Sequence, residues 1–285
     1  MKLSPLDATF GATVTDIDLR NLTDEQFKAL YDAWLEYALL IFPGQHLDKE
    51  SQVAFARRFG ELEFDIAPIS NVKKDGSLRD DDDVVKILKG NMGWHADSTY
   101  MPVQAKGAVF SAHVVPTSGG ETAWADMRAA YDALPAERQQ ALAQLDASHS
   151  LHYSQSRLGH QHAEGSEYSG YGFHDEAPPR RPLVKTHPET GRKSLLIGRH
   201  AYDVSNLGSE ESGRLLDELE AFACQPPRVY THKWQPGEVV VWDNRCLLHR
   251  ACPWDMNEAR VMYHSRIKGD PITESAPVEA NPQRS

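Results

Sequence analysis

From Asp24 to Tyr37 the apolar residues Phe27, Leu30, Tyr31 and Trp34 recur at three- and four-residue intervals among charged ones, and Ala38 extends the stripe. That period puts them on one face of an amphipathic helix, and Thr23 with Gln26 three residues on has the spacing of a capping box to start it. The pattern then changes. "ALLIFPGQ" is apolar without alternation and is closed by Pro43 and Gly44, which reads as a buried strand. A second helix is expected from about Lys49 to Phe59, ended by Gly60. "AVFSAHVV" at 108–115 reads as a strand, and "DMRAAYDAL" and "PAERQQALAQL" as short helices. The last third returns to strands: "KSLLIG", "RVYTHKW", "EVVVWDN" and "ARVMYHSRI", separated by turn residues.

Helices early, then many short strands with long connections, predict a mainly β fold with flanking helices around a jelly-roll core, a double-stranded β-helix. No repeat, low-complexity tract or linker divides residues 1–285, so one domain is expected. Residues 72–90 carry a turn signal and four consecutive aspartates, Asp80 to Asp83, read as a solvated loop. A calcium site would want oxygen ligands alternating around a glycine turn, which this run lacks. The sharper expectation is a lid at about 65–92. Residues 149–192, rich in His, Gly, Ser, Tyr and Pro, are expected to form a long irregular insertion.

Composition narrows the class. A hydrophobic fraction of 40% and a charged fraction of 25% in 285 residues are those of a globular protein, and the longest apolar run, "YALLIF", is far too short to cross a bilayer. A net charge of −11 repels phosphate backbones, and "PPRRP" is no basic patch. Cys224, Cys246 and Cys252 are odd in number and lack CxxC spacing, which argues against a disulfide framework or a thiolate zinc site. With no secretory signal visible, a cytoplasmic enzyme without nucleic-acid or membrane partners is expected.

"GNMGWHADSTY" at 90–100 holds the first candidate chemistry. On extended backbone, side chains two apart share a face, so His95 and Asp97 can converge on one cation; alone, the pair fits a wet strand equally well. His149, His152, His160, His162 and His174 lie in the polar irregular stretch and read as solvated; His187 sits in a Thr-His-Pro turn. His249 differs, since it leaves an apolar strand where a side chain can project into a barrel mouth. Eleven residues later Arg260 opens the next strand, where a guanidinium can pair bidentately with a carboxylate. Two histidines and one carboxylate on one face of a metal form the facial triad of non-haem Fe(II) oxygenases. Zinc could use the same ligands, but a hydrolase would also need a general base, and the arginine tips the balance toward iron.

Together, "GATVTDIDL", "LLIFPGQ", "WHADSTY", "GGETAWADMRAAYDAL", "HPETGRKSLLIG" and "WQPGEVVVWDNRCLLHRA" resemble the Fe(II)/2-oxoglutarate dioxygenases of the taurine and aryloxyalkanoate group over nearly the whole chain. The resemblance implies Fe(II), 2-oxoglutarate as cosubstrate and O2. It places the metal on His95, Asp97 and His249, and 2-oxoglutarate on Thr122, Trp234 and Arg260. It also implies a small anionic substrate and a homo-oligomer.

The similarity is closest to the members acting on S-enantiomers of phenoxypropionate herbicides, on "NMGWHADSTYMPV", "GAVFSA", "LLIGRHA" and "WDNRCLLHRACPWD". One departure matters. Taurine-type members carry a second arginine four residues after the first, to clamp the substrate anion; here that position is His264. Strand alternation puts Arg260, Met262, His264 and Arg266 on one face, so an imidazole occupies the expected anion site with a guanidinium two residues along. A sulfonate would find a weaker or pH-dependent partner there, which counts against taurine. Arg199 and His200 are candidate replacements, although an arginine beside a turn also reads as a solvated residue, and Asn91 matches a substrate-contacting position of the taurine enzymes. A hydroxylase of an alkylsulfonate or another small carboxylate, and a non-catalytic jelly-roll binding module, stand as alternatives.

Overall fold

The computed structural model describes residues 1–160, 170–174 and 176–277. Two facing sheets carry the architecture. The larger has seven strands in the order Lys2–Pro5, Ala12–Thr15, Leu39–Phe42, Val239–Asp243, Gly107–Val114, Val261–Ile267 and Leu62–Ser70. The smaller has Thr122–Asp126 at its centre, with Val229–His232 and Leu247–Ala251 antiparallel on either side. Pairing is antiparallel throughout the two sheets except between Ala12–Thr15 and Leu39–Phe42. This is the expected jelly roll.

The unbroken apolar strands follow from burial on both faces. Val239 and Val241 point outward to the helices Asp24–Tyr37 and Lys49–Arg57, packing with Leu30, Trp34 and Phe55. Val240 and Trp242 point inward, to Phe110, Trp124, Trp234 and Met262 between the sheets. Behind the smaller sheet, Ala123, Ala125 and Leu248 pack on Leu216 and Leu219 of the helix Ser209–Ala223. Helices therefore cover both outer faces and leave the space between the sheets for chemistry.

Several local expectations change. The first helix starts as read, with both halves of the Thr23–Gln26 capping box made. The second ends at Arg57 rather than Phe59. The acidic run is not a plain loop: Asp82 accepts the Val85 N–H as N-cap of a helix Asp83–Gly90, and Asp81 pairs with Lys89 at 2.7 Å. Residues 149–192 contain a helical turn, Leu151–Ser156, and the strands Arg180–Pro182 and Val184–Thr186. "KSLLIG" pairs only through Lys193–Leu195, outside the two main sheets. The helix Ser209–Ala223 has no counterpart in the sequence expectations, although Leu215, Leu216, Leu219 and Phe222 carry its period.

Candidate active site

A cavity of about 520 Å³ opens between the sheets, its floor set by both candidate motifs. His95 and His249 are joined by a β-bridge, each backbone N–H donating to the other's carbonyl at 3.0 and 2.8 Å. Asn244 holds the next turn in place. Its Oδ1 accepts the Asp97 N–H at 2.7 Å, and its Nδ2 donates to the carbonyls of Asp97 and Ala105, both at 2.9 Å. On the other side Gly198, at φ +116°, lets the "IGRHA" loop lie directly on the metal-motif backbone; a Cβ there would stand 2.9 Å from the Trp94 carbonyl.

Ligand atoms of His95, Asp97 and His249 all lie within 4.8 Å of one another, and all three residues are buried. His95 Nδ1 donates to the Gly93 carbonyl at 2.8 Å, which fixes the tautomer and leaves an Nε2 lone pair. Burial, with His249 adjacent, pushes His95 down to about 3; burial likewise takes His249 down to about 4. Both imidazoles are neutral at pH 7. Burial opposes ionisation of Asp97, but the Arg266 guanidinium outweighs it and holds the carboxyl well below its usual range. Arg266 Nη2 donates to Asp97 Oδ1 at 2.8 Å, while Oδ2 is buried with no hydrogen-bond donor among the described residues and lies 3.8 Å from His249 Nε2. Two neutral imidazoles facing an orphaned carboxylate oxygen are the donor set and protonation state a divalent transition metal takes.

Further along the cavity, Arg260 is buried and makes no ion pair among the described residues. Its Nε donates to the Gly120 carbonyl at 3.0 Å and its guanidinium lies 5.2 Å from the Trp254 ring. Burial lowers it to about 10, which leaves it charged. Thr122 lines the cavity beside it. Trp234 does not line the cavity; it stands behind Thr122 and donates Nε1–H to Thr122 Oγ1 at 2.9 Å, so the threonine hydroxyl keeps its own hydrogen for a further acceptor. A dicarboxylate reaching from the metal to Arg260 fits this arrangement.

The substrate-facing candidates separate. Asn91, His200, His264 and Arg266 line the cavity, whereas Arg199 does not. Arg199 is no solvated surface residue either: its Nη2 donates to the Ser154 carbonyl and to Gln155 Oε1, at 3.1 and 3.0 Å. Arg266 is committed to Asp97 and Ser98 and lies over the rings of Phe64 and Tyr171, at 5.0 and 5.3 Å. His264 stacks on Trp242 with its Nε2 3.6 Å from Asp97 Oδ2, and burial pushes it down to about 3. It is neutral and offers no fixed positive charge to an anion. The opposite wall is apolar, with Phe64, Ala67 and Ile69 from the strand Leu62–Ser70 and Val84 and Ile87 from the helix Asp83–Gly90.

Other histidines also depart from expectation. His149 and His160 are buried, not solvated, and His187 is a core residue whose Nε2 donates to Asp243 Oδ2 at 2.9 Å. His152 is exposed as expected; His174 is half-buried, with Nε2 2.9 Å from the Tyr100 carbonyl, and His162 lies outside the described residues. Asn244 and Gln155 were not singled out in the sequence. For Asn244 a signal existed in its place just after the "VVVWD" strand, but neither residue type nor spacing announces a backbone clamp.

A jelly roll with a His-x-Asp…His cluster and an arginine just before the strand beyond it defines a class, and the chain belongs to it: residues 2–266 match the family described as "Taurine catabolism dioxygenase TauD, TfdA family". Within that family the chain is 66% identical over 278 residues to the (S)-phenoxypropionate/alpha-ketoglutarate-dioxygenase of Sphingobium herbicidovorans, covering 96% of this chain and 97% of that protein. It is 57% identical to the protein of the same name from Delftia acidovorans, covering 97% of this chain and 98% of the other. Among solved structures it resembles AAD-2 in complex with Mn(II) and N-oxalylglycine, at TM-score 0.88 and 36% identity, covering 97% of this chain and all of that one.

Proposed function

We propose that this chain is an Fe(II)- and 2-oxoglutarate-dependent dioxygenase that hydroxylates an aryloxyalkanoate of the (S)-2-phenoxypropionate or phenoxyacetate type. Oxygen enters at the carbon bearing the ether oxygen, and the hemiketal or hemiacetal formed collapses to a phenol and an oxo acid; succinate and CO2 are the coproducts. When bound, iron with 2-oxoglutarate and O2 supplies the oxidant that removes the substrate hydrogen. The chain's own residues bind and place. His95, Asp97 and His249 hold the metal, with Gly93 fixing one imidazole and Arg266 reserving the second carboxylate oxygen. Arg260 and Thr122 receive the far carboxylate of 2-oxoglutarate, and Trp234 orients Thr122. Asn91 and His200 face the substrate. The apolar wall of the lid segment takes the aryl ring and excludes water from the reacting carbon.

The observation that carries the reading is the orphaned Asp97 oxygen between neutral imidazoles, in the same cavity as a buried guanidinium, Arg260, with no counter-ion among the described residues. The 66% relative's named activity supports the substrate class. An alkylsulfonate finds no free guanidinium at His264, which disfavours taurine. A homo-oligomer and a cytoplasmic location complete the proposal, the latter supported by three cysteines free of disulfides. Succinate release driven by (S)-dichlorprop, (R)-dichlorprop, 2,4-dichlorophenoxyacetate and taurine tests it: turnover with an aryloxyalkanoate is expected, and turnover with taurine alone would overturn it.

A further inference from the structure

An anionic substrate needs a partner that the lining arginines do not supply. Arg260 sits with Thr122 at the far end, Arg266 is bound to Asp97, and Arg79 is paired with Asp82 at 2.7 Å. Gln155 lines the same cavity, is buried, and has an Nε2 with no acceptor among the described residues. Its orientation is settled by chemistry. A guanidinium only donates, so the amide atom 3.0 Å from Arg199 Nη2 is the oxygen, and the NH2 is the end left over. Gly90, beside Asn91, closes the other side: a Cβ there would stand 2.7 Å from Gln155 Oε1 and 2.7 Å from Arg199 Nη1.

We propose that Gln155 is the donor that receives the substrate carboxylate, and that Arg199 is a positioning residue acting through it. The proposal rests on the aryloxyalkanoate reading above. Arg199 withdraws electron density from the amide oxygen and so strengthens the N–H it presents, placing positive charge one group behind the contact rather than in it. Asn91 and His200 line the same cavity and carry no charge, so no fixed cation faces the carboxylate's seat from them. This accounts for how the site works with an imidazole at 264. Gly90 belongs to the same device, because only a glycine lets the lid helix rest on the amide.

The test measures binding without turnover, by calorimetry on protein loaded with Mn(II) and N-oxalylglycine. Gln155→Leu is expected to weaken (S)-2-phenoxypropionate by about 10- to 100-fold, the range for a hydrogen bond to a charged group. It should leave the neutral ether phenetole and N-oxalylglycine unchanged; the latter also shows that the variant is folded. Arg199→Met should weaken the carboxylate alone but add nothing on top of Gln155→Leu, and Gly90→Ala, whose methyl displaces both side chains, should reproduce the loss with Gln155 and Arg199 themselves unaltered. An unchanged carboxylate affinity in Gln155→Leu, or additive losses in the double variant, would overturn the assignment while the activity of the native chain stands. A native chain that turns over none of the aryloxyalkanoates would sink the substrate reading and this proposal together.

Discussion

Replacing Arg260 by methionine tests the proposed cosubstrate contact. The native guanidinium is buried without a counter-ion among the described residues and holds one backbone carbonyl, Gly120, at 3.0 Å. Methionine keeps an apolar stem and removes the guanidinium that lies by Trp254, and with it the charge. Losing the Gly120 bond and relieving the buried charge act in opposite directions, so the unliganded protein should melt close to the native temperature. The ligand response should not survive. A hydrogen bond to a charged group is worth about 1.5–3 kcal/mol, which raises Kd by about 10- to 100-fold. At a 2-oxoglutarate concentration of 100 times the native Kd, the native protein gains about 2.7 kcal/mol, and the variant about 1.4 to 0.4 kcal/mol. At about 2–4 °C per kcal/mol for a chain approaching this size, the shift falls from about 5–11 °C to about 1–6 °C. The assay is a thermal shift with Mn(II) and 2-oxoglutarate under nitrogen. A variant that keeps the full native shift would place the far carboxylate elsewhere and refute the reasoning.

Three further outcomes are expected. His249→Ala should lose Mn(II) binding, read by electron paramagnetic resonance, and iron-dependent turnover, while its circular dichroism stays native; surviving turnover would break the triad assignment. Asn244→Ala strips the partners from buried groups at Asp97 and Ala105, and should destabilise by about 3 kcal/mol in urea unfolding as well as weaken metal binding. His149 is buried without a hydrogen-bond partner on either nitrogen among the described residues, and burial, with Arg181 nearby, pushes it down to about 3. Its folded value lies below its unfolded one, so its contribution is present above about pH 6.5 and is lost as the pH falls toward 3, at up to about 1.4 kcal/mol per pH unit. His149→Leu should therefore flatten the decline in urea stability between pH 6.5 and 5, and an unchanged slope would show that His149 is not the group responsible.

Local pattern carried far in this chain. The capping box at Thr23 and Gln26, the strand "EVVVWDN" and the same-face set Arg260, Met262, His264 and Arg266 are consequences of periods of 3.6 and 2.0, which the backbone obeys wherever it folds. Residue chemistry likewise made His95, Asp97 and His249 a set that binds a metal if brought together, and the motif order identified the family. Bringing them together was another matter. The His95–His249 bridge joins residues 154 apart, and Asn244 reaches back 147 to clamp Asp97. Burial depends on such long-range contacts, which is why His149 and His160 read as solvated in a polar stretch and yet are buried, and why His187, read as a turn residue, lies in the core. The direction of a side chain depends on them too. Trp234 donates to Thr122, Arg266 to Asp97 and Arg199 to Gln155. The sequence by itself determined which groups could hold a metal, a dicarboxylate and an anion; tertiary structure decided which of them face the cavity and which stand behind, because that is set by packing between segments far apart in the chain.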